Sequence, residues 1–74
     1  MSLATAIQTL VSQGYTVKFE RHPASALHVG ISLSKRGFVQ RGSSLSCSDD
    51  ALCGVLREAK VRLDLYLKIR REKE

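Results

Sequence analysis

The stretch Leu27-His28-Val29-Gly30-Ile31-Ser32-Leu33-Ser34-Lys35-Arg36-Gly37 decides the fold. Leu27, Val29, Ile31 and Leu33 fall on one side of an extended chain, and His28, Gly30, Ser32 and Ser34 on the other. Alternation with a period of two is the mark of a strand that buries one face and wets the other. Lys35-Arg36-Gly37 then reads as a short hairpin connection, with Gly37 free to take a positive φ. The chain turns back at once, and residues 38–43 are expected as a third strand with Gly42 as a bulge. Upstream, Tyr15, Val17 and Phe19 alternate with Thr16, Lys18 and Glu20. That pattern predicts a first strand over 15–21. Pro23-Ala24-Ser25 reads as the turn before a second strand over 26–34.

Helical periodicity brackets these strands. Leu3, Ile7, Leu10 and Val11 recur on one face of a 3.6-residue period and predict a helix over 2–13, capped by Ser2 and stopped by Gly14. After a Ser-rich passage at 44–48, Leu52, Val55, Leu56, Ala59, Leu63, Tyr66 and Leu67 form a continuous apolar stripe. It predicts a long helix over 48–72, with Ser48 as N-cap and Asp49 and Asp50 in the first turn, where the helix dipole favours carboxylates. The order α-β-β-β-α makes residues 1–74 a single α+β domain. It is a two-layer sandwich of a three-stranded antiparallel sheet with both helices on one face.

The long helix is expected to outrun its sheet. About 25 residues span roughly 37 Å, whereas strands of about seven residues span about 23 Å. The last two or three turns then have no sheet beneath them, yet Val61, Leu65 and Ile69 form a second apolar stripe there, well away from the first. A contact with another chain, most simply a second copy of this one, explains both features.

Composition narrows the function. Seventy-four residues leave little room for a walled catalytic pocket beside a core. Twelve Lys and Arg against seven Asp and Glu give a net charge of +5, with a pI near 9.7, enough to attract polyanions. Lys35, Arg36 and Arg41 form one basic group, and Arg62, Lys68, Arg70, Arg71 and Lys73 another. The second is interleaved with acids and reads as a solvated helix end. Cys47 and Cys53 are too few for a disulfide scaffold and read as reduced thiols of a cytoplasmic protein. No apolar run suffices to span a bilayer, and Met1 to Ala6 lacks the charge and apolar pattern of a secretory signal.

No catalytic motif stands in the chain. His22, His28, Cys47 and Cys53 are not spaced as a structural zinc site, and Asp49 with Asp50 reads as capping rather than as an acid–base pair. The expectation is a non-enzymatic module without metal or cofactor.

In its α-β-β-β-α order over residues 2–67, the chain resembles the double-stranded RNA-binding domain. That resemblance implies RNA contacts through the first helix, a histidine in the β1–β2 loop, and lysines at the start of the second helix. Pro23-Ala24-Ser25-Ala26-Leu27-His28 echoes the loop. The lysine cluster is absent, and Ser48, Asp49, Asp50, Ala51, Leu52 and Cys53 stand in its place. Relatives lacking those lysines act through protein contacts, often as dimers. In size and composition the chain is also similar to small accessory proteins of phages and mobile elements, which inhibit or redirect a host macromolecule.

The leading expectation is thus a protein-interaction module, self-associating through Val61, Leu65 and Ile69 and engaging a protein partner still to be identified. The alternative is binding of double-stranded RNA or DNA through Lys35, Arg36, Arg41 and His28, with Lys18 and Lys60 in support. Neither reading involves a membrane.

Overall fold

A computed structural model describes residues 2–21 and 29–73 of the chain. Two helices and three strands follow in the order α1 (Leu3–Ser12), β1 (Thr16–Arg21), β2 (Val29–Lys35), β3 (Phe38–Ser44) and α2 (Asp49–Lys73). The strands form one antiparallel sheet in the order β1-β2-β3. The expected α+β sandwich is therefore the fold. The proposed turn at Pro23, the start of the second strand at 26–28, and His22 and His28 lie outside the described residues.

Register settles which side chains share a face. Val17 pairs with Leu33 and Phe19 with Ile31, and Gln40 and Gly42 complete those two rows on β3. This is the face that the helices cover. Ile31 and Leu33 are buried beneath Leu10, Leu52, Leu56, Ala59 and Leu63. Helix α2 packs across β3 and β2, while α1 lies against β1 and α2. Three side chains expected in the core stand only at its margin: Val11 is 55% exposed, Phe19 41% and Tyr66 41%. A single helix layer over three strands leaves the flanks of each stripe wet.

Gly42 is not a bulge. Pairing of β2 with β3 runs unbroken from Val29–Ser44 to Lys35–Phe38. Its role is clearance, since a Cβ placed there would stand 2.7 Å from Cγ1 of Val55 on α2. The hairpin connection holds as read, with one addition. Gly37 has φ 82°, and Arg36 shares the left-handed region at φ 54°. Two positive φ values in a two-residue loop match the type I′ turn, whose twist fits that of the flanking strands.

The helix ends follow their caps. The Ser2 hydroxyl accepts from the Thr5 amide at 3.2 Å, and Gly14 leaves α1 with φ 93°. The Ser48 hydroxyl accepts from the Ala51 amide at 3.3 Å. Asp49 does more than its place in α2 requires, because its carboxylate also accepts from the Leu3 amide at 3.3 Å. The first residue of α2 thus ties the N-terminus of α1, far away in sequence, to its own. This is a structural use of Asp49.

Candidate functional site

Helix α2 runs back along β3, from Val55 over Gly42 to Tyr66 over Phe38. The Phe38 and Tyr66 rings meet edge-on with centroids 5.1 Å apart, and the Arg70 guanidinium lies 5.7 Å from the Phe38 ring centroid. The helix therefore keeps contact with the sheet as far as Arg70, and only about one turn projects beyond. The expected two or three unsupported turns were an overestimate. α2 begins level with the far end of β3, and the hairpin tip reaches forward beneath its last turns.

That geometry gathers charges that are distant in sequence. The hairpin brings Lys35 and Arg36, and α2 brings Lys68 and Arg71, to a cleft of about 260 Å³ that Asp64 and Leu67 also line. A second hollow adjoins it, bordered by Arg36, Phe38, Leu67, Arg70 and Arg71. Five cations from two elements thus stand at one end of the molecule. The sequence reading kept the two groups apart and took the second for a solvated helix end. Only the antiparallel return of α2 along β3 unites them.

Beneath this end lies a tied polar cluster. Tyr15, at the mouth of β1, is 5% exposed, and its phenol donates a hydrogen bond to the Asp64 carboxylate. The other carboxylate oxygen accepts from Nζ of Lys60 at 2.9 Å. Nζ of Lys35 sits 4.5 Å from the Tyr15 ring centroid, and that of Lys60 5.7 Å. An ammonium over an aromatic face is attracted by the ring's negative face. Lys35 is thus held over Tyr15 at the edge of the cleft.

Titration behaviour follows from these contacts. Burial pushes the Tyr15 phenol up to about 12, helped by its hydrogen bond to Asp64 and by that carboxylate's charge. Burial alone would raise the Asp64 carboxyl, but it is outweighed. The hydrogen bonds from Lys60 and Tyr15, and the charges of Lys60 and Lys35, hold the carboxyl below its ordinary value. At neutral pH the phenol stays protonated and the carboxylate ionised. Sequence reasoning missed this pair. The available signal was Asp64 four residues after Lys60, on the flank of the apolar stripe that faces Tyr15.

The residues singled out from sequence separate. Lys35 and Arg36 belong to the cationic end. Arg41 does not, because odd positions of β3 point away from the helices. Arg41 pairs with Ser32, and Ser32 with Lys18, on the open face of the sheet. Lys60 is engaged by Asp64. Val61, Leu65 and Ile69 lie on the outer side of α2, 62%, 57% and 43% exposed. Among the described residues no group of three or more His, Cys, Asp or Glu side chains is placed to hold a metal ion, and no helix is long and apolar enough to cross a membrane. Comparison with protein-family models, with curated proteins and with solved structures gives no match.

Proposed function

We propose that the chain is a binding module for a phosphate-bearing polyanion, nucleic acid above all, and that the cationic end is its contact surface. One observation carries the reading. Lys35 and Arg36 on the hairpin, and Lys68 and Arg71 on α2, line one cleft. Cations fixed on two rigid elements meet phosphates with less ordering cost than cations on a free tail. Tyr15 and Asp64, the groups with shifted titration, saturate one another and fix Lys35. That suits a support for binding better than an acid–base centre.

This surface stands at the far end of α2 from its first turn, the turn where the double-stranded RNA-binding resemblance would put RNA-contacting lysines. Binding through it is electrostatic in origin and steeply salt-dependent. Fluorescence anisotropy with labelled duplex RNA and duplex DNA tests it. The double variant Arg36→Asn/Arg71→Ala, which keeps both the turn and the helix, is expected to weaken binding about tenfold at low salt. It should also flatten the salt dependence by about two phosphates. Equal affinity of parent and variant would remove the cationic end from consideration.

A second reading rests on Val61, Leu65 and Ile69. Their exposure on the outer face of α2 favours self-association. The stripe is symmetric about Leu65, so a two-fold axis there would set Val61 against Ile69 of a second copy, as an isologous contact requires. The mass in solution of Leu65→Asp against the parent decides it.

A further inference from the structure

The open face of the sheet carries a feature that the cationic end does not explain. Its middle strand offers only Gly30, Ser32 and Ser34, none longer than a hydroxymethyl group. Its two edge strands place Lys18 and Arg41 in register on either side of Ser32, and both are exposed. Two inter-strand spacings separate their backbones, about 10 Å. The result is a shallow slot with a hydroxyl floor and a cation on each wall. Among the described residues, no element packs on this face.

We infer that this slot is a second phosphate-contacting surface, and that the nucleic acid it takes is a duplex held by its backbone. Charge complementarity selects a polyanion, since Lys18 and Arg41 face each other across the floor and Glu20, one row away beside Gly30, is the single acid on the described part of the face. The slot leads along β2 to the hairpin, where Arg36 lies four residues beyond Ser32, about 13 Å away. Along the axis of a duplex that distance covers about four phosphates of each strand. The two surfaces therefore meet different phosphates of one backbone. A duplex is chosen over a single strand because strands without base pairing are gripped by stacking on aromatic rings. No aromatic side chain stands in the three described rows of this face, Phe19 and Phe38 being turned to the helix side. The inference rests on the polyanion reading above but adds its own residues.

The test uses the full chain and a labelled mixed-sequence duplex, with the matching single strand as control. Lys18→Ala/Arg41→Ala is expected to weaken duplex binding about tenfold at low salt and to lower the salt slope by about two. Glu20→Gln is expected to tighten it about two- to threefold, a gain that loss of fold cannot imitate. If Arg36→Asn/Arg71→Ala weakens binding while the Lys18/Arg41 and Glu20 variants match the parent, the slot is excluded and the cationic end stands. If only the sheet-face variants respond, the slot stands and the cationic end is excluded. A single strand bound as tightly as the duplex would overturn the choice of duplex, and a parent that binds neither would overturn both surfaces.

Discussion

Tyr15 and Asp64 show how a single contact sets two titrations of opposite sign. The folded chain holds the phenol proton more tightly than the unfolded chain, with a pKa near 12 against 10.0. Its contribution to stability is whole below pH 10 and is lost as pH rises from there towards 12. The Asp64 carboxyl is held below its ordinary 3.8. Its contribution is whole above that value and is lost as pH falls through the lowered one. In a Tyr66→Phe background Tyr15 is the sole tyrosine, and near-ultraviolet absorbance follows its phenol directly. A midpoint near 12 is expected, falling part of the way towards 10 on Asp64→Asn because burial persists. A midpoint indifferent to Asp64→Asn would assign the whole shift to burial.

At the scale of elements, two glycines have opposite outcomes, Gly42 where α2 meets the sheet and Gly54 within α2 itself. Gly42 lies where the helix comes closest, and an added Cβ would stand 2.7 Å from Val55. Gly42→Ala should cost about 1–3 kcal/mol, part of it regained when Val55→Ala is combined with it. Gly54 sits inside α2 with nothing within 4 Å of its would-be Cβ. Gly54→Ala should stabilise by roughly 0.5–1 kcal/mol through helix propensity alone. Urea unfolding of the three variants measures both signs. Periodicity made the elements themselves legible: the switch from 3.6 to 2 at Tyr15 and the alternation from Val29 to Leu33 predicted a helix and two strands. Gly42 was misread because a glycine in a strand signals either a bulge or a close approach. Only the position of α2 decides between them.

For the molecule as a whole, the sequence reading found the layers and missed how their ends meet. The basic groups around Lys35 and Lys68 lie on separate elements, and no local pattern records that a helix returning along β3 brings them together. Parity along β3, by contrast, was readable and would have separated Arg41 from Lys35. Assembly is the property that the proposed contact through the exposed stripe would govern. If Val61, Leu65 and Ile69 join two copies, Leu65→Asp will lower the mass measured by light scattering from dimer to monomer. A parent that is already monomeric at high concentration would retire that reading and leave the stripe as surface aliphatics.

The hairpin tip carries one last consequence. A two-residue loop of this geometry is most at ease with Asn-Gly or Gly-Gly, and an L-residue with a long side chain at φ 54° forgoes about 1 kcal/mol. If the cationic end takes phosphate as proposed, heat resistance and phosphate affinity pull residue 36 in different directions. A library selected only for survival at high temperature would drift towards Asn or Gly there. One selected for retention on a polyanionic matrix would hold Arg36 and accumulate its stabilising changes elsewhere, at Gly54 first.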